Sequence, residues 1–155
     1  MLVAPTDGAA QDLLAVSVAT EVEAFRAVYR DSFGMTSELV DALVVPADLD
    51  AAEVTHLLGA VAGRAVACAQ LRHGSGRAHV GGLGVLPDVR RRGYGMAMLD
   101  ACRQEADARG CGLVWLNGAT GTVPFYERVG FKLVDTYSAL LCTASTSFEA
   151  LPRLR

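Results

Sequence analysis

Apolar residues recur at helical spacing from Val22 onward, at Val22, Phe25, Val28 and Tyr29, with Glu21, Glu23, Arg26 and Arg30 on the wet side. That period predicts a helix capped by Thr20 and stopped by Gly34. Before it, the β-branched run Leu13 to Val18 predicts a short strand. Thr36 or Ser37 caps a second short helix carrying Leu39, Val40, Leu43 and Val44, which Pro46 ends. The pattern then changes. Val54 to Ala62 and Arg64 to Leu71 are apolar segments around Gly63, a tight hairpin, and His73-Gly74-Ser75-Gly76 turns the chain into a third strand, Ala78 to Leu86. Helical spacing returns from Gly93 to Arg109, with Met96, Leu99, Cys102, Arg103 and Ala106 down one side and Gly110 as the stop. Leu113 to Leu116 is a short buried strand, and Thr122 to Val129 a brief helix closed by Gly130. Phe131 to Val134 and Ser138 to Thr143 are the expected final strands.

The order β-αα-βββ-α-β-α-ββ predicts an α/β chain with a mixed sheet. An antiparallel meander followed by a β-α-β crossover places helices on both faces. With 155 residues and neither an internal repeat nor a linker, one domain over 1–155 is expected, with 1–12 and 145–155 as loose ends.

Half the residues are apolar, 52%, and 20% are charged, which is a globular balance. The net charge of −3 argues against nucleic-acid binding, and no apolar run approaches membrane-spanning length. Cys68, Cys102, Cys111 and Cys142 lie far apart, without a Cys-x-x-Cys pair or a nearby histidine pair. They suit neither zinc nor a secreted disulfide framework, so no metal is expected and the cysteines read as buried small hydrophobes. Met1 to Ala10 lacks a basic residue and does not read as a signal peptide, and the expectation is a cytoplasmic protein.

The positive charge concentrates at Arg90, Arg91 and Arg92, directly before Gly93-Tyr94-Gly95 and a helix start. A diphosphate needs several converging donors, and the first turn of a helix offers free backbone N–H groups and a favourable dipole. Gly93 and Gly95 let the backbone approach closely, Pro87 ends the preceding strand, and the arginines add charge. A dinucleotide-binding turn is the nearest alternative. It fails because Met98 stands where a third glycine belongs and no acid follows the next strand at Leu116-Asn117.

With Arg90-x-x-Gly93-x-Gly95, the preceding Val85-x-Pro87 and the later Phe125-Tyr126-x-x-x-Gly130-Phe131, the sequence resembles the GNAT superfamily of acyl-CoA N-acyltransferases. The motifs span about residues 79 to 134. The resemblance implies a GNAT-type fold with splayed central strands, and acetyl-CoA or coenzyme A as co-substrate. Backbone N–H groups from Arg91 to Met96 would hold the pyrophosphate, and the strand edge at Leu83, Gly84 and Val85 would pair with the pantetheine arm. Gly81, Gly82 and Gly84 suit a bulged strand that is approached closely. Leu83 N–H would polarise the thioester carbonyl. Asn117 would bond the pantetheine amides, and Phe125 would pack beside Tyr126. The family commonly has an Asn and an Ala where this chain has Ala119 and Thr122.

Acyl transfer to an amine requires a proton acceptor for the amine, donors for the oxyanion and an acid for the departing thiolate. Tyr126, with an ordinary phenol pKa near 10, stays protonated and suits the acid. His79 lies six residues before Val85, so period-two alternation puts both on one face, at the offset where histone-acetylating relatives carry a glutamate. It is the candidate base, ahead of His56 and His73. No cysteine has a histidine beside it in sequence, which favours direct attack in a ternary complex. The acceptor, a small-molecule or protein amine, would meet the first two helices, the loop Val44 to Glu53 and the final hairpin, and the acids Asp31, Glu38, Asp41, Asp48, Asp50 and Glu53 suit a cation. A homodimer is compatible with the loosely specified N-terminal segment. A silent acyl-CoA sensor and an acyltransferase of another donor or acceptor are the competing readings.

Overall fold

The computed structural model describes residues 13–136, in two compact units that meet in sequence at Asn117/Gly118. In chain order the first holds β1 (Ala15–Val18), α1 (Val22–Phe33), α2 (Ser37–Leu43), α3 (Ala47–Asp50), β2 (Val54–Val61), β3 (Arg64–Gly74), β4 (Arg77–Val85), a 3-10 turn at Pro87–Val89, α4 (Tyr94–Ala108) and β5 (Leu113–Leu116). The second holds a 3-10 turn, Thr120–Thr122, and α5 (Val123–Arg128). Among the described residues no helix is long and apolar enough to cross a membrane.

The sheet runs β1-β2-β3-β4-β5, antiparallel through β4 and parallel between β4 and β5. This is the mixed α/β sheet that the element order predicts. Two hairpins set the meander. Ala62 and Gly63 both take positive φ (49° and 81°), as do Ser75 and Gly76 (51° and 74°), the backbone of two-residue turns whose twist matches the flanking strands. The second turn therefore needs only Ser75 and Gly76, and β3 continues through His73 and Gly74 instead of stopping at Leu71.

The helices cover opposite faces. A side chain at Gly84 would meet Ser32 and Phe33 of α1, whereas one at Gly59 would meet Met98 of α4. Gly84 pairs with Cys68 and Gly59 with Ala67, and neighbouring strand residues point to opposite faces. Helix α1 ends at Gly34, whose φ of 63° lets its N–H reach the Arg30 carbonyl. Thr36 Oγ1 accepts the Leu39 N–H at 3.3 Å and starts α2. Phe25, Val40, Val66, Leu71, Met98 and Leu99 are fully buried, each worth about 1.5–3 kcal/mol of apolar transfer.

Three expectations change. Pro46 does end α2 but also opens α3, because its fixed φ suits the start of a helix. On α4 the buried stripe is Tyr94, Met98, Leu99, Cys102 and Ala106, and Met96 lies outside it, exposed. Phe131 to Val134 is not a strand among the described residues. A strand exists through its partner, and the segment expected to pair there, Ser138 to Thr143, lies outside them, as does Cys142. Cys68, Cys102 and Cys111 are buried and free.

Candidate active site

The strand β4 carries a bulge where its glycines cluster. Gln70 pairs with Gly81 and Cys68 with Gly84, so two steps on β3 face three on β4. Gly82 supplies the positive φ, 58°, that accommodates the extra residue. The parallel pairing with β5 stops at Val80 and Leu116. From Gly81 to Val85 the strand therefore runs on with no β5 partner, and the two strands part at the residue before Asn117. Leu83 has no register partner on β3 or β5.

The bulge also corrects the placement of His79. Gly81 and Gly84 are paired with residues on the same face of β3, so one inserted residue reverses the phase, and His79 and Val85 lie on opposite faces. The His79 ring sits 4.2 Å from that of Trp115, its partner on β5, and its Nε2 is buried without a hydrogen bond. Burial, then the Arg72 guanidinium, lowers its pKa, which keeps the imidazole neutral at pH 7.

Beside it, on the same face, Gln70 connects two networks. Its Oε1 accepts from Arg72 Nε at 3.2 Å, which turns its amide nitrogen to His56 Nε2 at 2.9 Å. The His56 proton then belongs on Nδ1, a buried atom with no acceptor. His56 packs edge-on to Phe25, 4.6 Å between centroids, and desolvation lowers its pKa. Nothing in the spacing of His56 distinguishes this buried role from an exposed strand residue.

The turn after β4 reaches α4 through Pro87–Val89 and two left-handed residues, Arg91 (φ 66°) and Gly93 (φ 85°). Gly93 is the N-cap, and a side chain there would meet nothing within 4 Å, so the space in front of the helix start is open. The Ala97 N–H is the first to find a helical acceptor, the Gly93 carbonyl at 3.1 Å. Among the described residues, the N–H groups of Arg91, Arg92, Gly93, Gly95 and Met96 donate to no protein acceptor. The side chains of Arg91 and Arg92 are exposed and make neither a hydrogen bond nor an ion pair there. Tyr94 contributes no accessible ring, being buried at 8% exposure. The guanidinium of Arg90, expected beside the phosphates, donates to the Val85 and Ser32 carbonyls at 2.9 and 2.6 Å.

Of the six acids expected to greet a cation, three are internally paired: Asp31 with Arg30, Asp41 with Arg26 and Asp48 with Arg72. Sequence reasoning also missed Tyr29 and Ser32 as bulge-packing residues. Ser32 is buried and Tyr29 half-buried on α1, and they lie against Gly84 and Gly82 respectively. In the second unit, Tyr126 stacks edge-on with Phe125 (5.1 Å) and Phe131 (6.0 Å), and a side chain at Gly118 would strike its ring. Burial raises the Tyr126 pKa.

A glycine-led helix start with unclaimed amides, next to a bulged strand that parts from its parallel neighbour, offers the donors that an extended, anionic ligand needs. The sequence model of the acetyltransferase (GNAT) family matches residues 22–131, and the chain belongs to that family of acyl-CoA N-acyltransferases. No curated protein matches the sequence. Among solved structures, a transcriptional regulator from Bacillus halodurans C-125 is 16% identical with a TM-score of 0.70, the match covering 84% of this chain and 100% of that one. AAC(6')-Iy, bound to the bisubstrate analog CoA-S-monomethyl-acetylneamine, is similar at 16% identity and TM-score 0.70, over 84% and 99%. Glucosamine-6-phosphate N-acetyltransferase from Arabidopsis thaliana follows at 14% and 0.66, over 83% and 98%. At these identities the likeness is one of fold.

Proposed function

We propose that the chain moves an acetyl group from acetyl-CoA to a primary amine, by direct attack within a ternary complex. The observation that carries this is the row of unclaimed N–H groups at Arg91, Arg92, Gly93, Gly95 and Met96, at a helix start where a side chain on Gly93 would meet nothing within 4 Å. A diphosphate fits that donor set, and Arg91 and Arg92 add charge beside it. The unpaired edge of β4 at Leu83, Gly84 and Val85 suits the pantetheine amides, with Asn117 opposite, and the Leu83 N–H is the donor for the oxyanion. Gly84 directs its backbone groups to β3, and the Val85 carbonyl already accepts from Arg90, so Leu83 and the Val85 N–H supply most of that edge.

Tyr126 acts as the acid toward the departing thiolate. Burial raises its pKa and keeps the phenol protonated across the neutral range. His79 is neutral and able to accept a proton, on the face of β4 turned to α1, and it serves the amine through water. A covalent route through Cys68 or Cys102 is disfavoured, since burial pushes both up to about 12 and neither thiol ionises readily. AAC(6')-Iy with its CoA-linked acetylneamine, and glucosamine-6-phosphate N-acetyltransferase, support a small amine as acceptor.

Thiol release from acetyl-CoA across a panel of amines tests the reading. The wild type turns over at least one amine, and Tyr126→Phe loses about 10²–10⁴-fold in kcat with CoA affinity within about twofold. Unaltered turnover removes Tyr126 as the acid. Tight CoA binding without turnover on any amine replaces catalysis with a sensing role.

A further inference from the structure

Arg90 opens the motif Arg90-x-x-Gly93-x-Gly95, and its exposed side chain bonds the protein's own backbone carbonyls. Its Nε donates to the Val85 carbonyl at 2.9 Å and its Nη2 to the Ser32 carbonyl at 2.6 Å. Ser32 lies in the last turn of α1, where carbonyls lack helical partners and the dipole favours a cation. Val85 is the last residue of β4. Between these two contacts Gly84 packs so closely on α1 that a Cβ there would stand 2.7 Å from the Ser32 Cβ. On its other side the same turn is tied to β3 by Arg64 and Asp88, 2.8 Å apart.

We propose that Arg90 is a positioning residue: its guanidinium staples the C-terminal turn of α1 to the end of β4, and so sets the open edge on which the acyl thioester lies. The proposal rests on the reading of that edge given above. A fork with two parallel donors spans two carbonyls, whereas an ammonium offers a point charge. Charge on a phosphate and geometry on a strand are therefore separable by substitution.

The decisive comparison is wild type against Arg90→Lys and Arg90→Gln, with acetyl-CoA and with S-acetyl-pantetheine, which lacks the diphosphate. A staple predicts that kcat/KM falls about 10- to 100-fold in both variants, by the same factor for both thioesters and with kcat carrying the loss. A loss confined to acetyl-CoA and restored by lysine overturns the proposal and returns Arg90 to the diphosphate. Hydrogen exchange on the ligand-free chain decides the staple separately. Amides at Met35 and Leu86 should exchange at least about tenfold faster in Arg90→Lys while β2 stays protected, and unchanged protection overturns it. If the wild type processes neither thioester, the acyl-transfer reading fails, and the exchange result still stands for or against the staple.

Discussion

Replacing Gly82 with alanine should destabilise the chain by about 2–5 kcal/mol, through two separable effects. Gly82 holds φ at 58°, and an L-residue in that region costs about 1–2 kcal/mol. The new methyl would also collide with Tyr29 Cε2 and stand 3.1 Å from its Cδ2, so the ring must move. Overpacking of this kind costs about 1–3 kcal/mol. Gly76 isolates the first effect, because its φ is 74° and a side chain there meets nothing within 4 Å. Gly76→Ala should therefore lose only the backbone share. Urea denaturation with an unchanged slope gives both values, and a cycle with Tyr29→Leu isolates the second. Removing the ring should recover about 1–3 kcal/mol of the Gly82→Ala loss. Equal losses at Gly76 and Gly82, with strict additivity to Tyr29→Leu, would refute the claim that the bulge is held against the Tyr29 ring.

Arg26→Ala should cost about 1.5–3 kcal/mol in the same assay, because the guanidinium bonds the Val44 carbonyl at 2.9 and 2.6 Å and pairs with Asp41. Arg26→Lys should restore only part of it, and a loss within about 0.5 kcal/mol for alanine contradicts the contact's importance. Burial lowers the pKa of His56 and His79 below the ordinary 6.5, so near pH 6 the unfolded chain binds more protons than the folded one. Their contribution is complete above pH 6.5 and is lost as pH falls through and below that value, at up to about 1.4 kcal/mol per unit for each imidazole. A stability profile that is flat from pH 7 to pH 5 contradicts this. Asp88, whose pKa the Arg64 guanidinium lowers from 3.8, adds a separate loss at more acidic pH. Cys68 and Cys102, pushed up to about 12, should resist thiol reagents at pH 8 until the chain unfolds, and prompt labelling of either in the native state would contradict their burial.

The turn at Arg90 to Gly95 was legible because glycine spacing, a preceding proline and a following helix are local signals. So was α1, where period and stop signal agree. The glycines of β4 announced a bulge, but its consequence for His79 was hidden. Alternation assumes one residue per step, and only the register with β3 shows where the additional residue enters. The burial of Met98 in place of Met96 was similarly ambiguous, since both fit a helical period that includes Leu99. The Arg90 contact to Ser32 joins positions 58 apart in sequence, and it and the contact to Val85 run to backbone carbonyls, which leave no trace in residue identity. Pro46 misled for a related reason: a proline stops one helix and starts the next with the same ring.

The central claim is that amides opening α4 receive the diphosphate of coenzyme A. Backbone amide resonances followed during titration with CoA test it residue by residue. The account predicts that Gly93, Gly95 and Met96 shift together and saturate with the bulk binding curve. Saturation with those three resonances unmoved would contradict it.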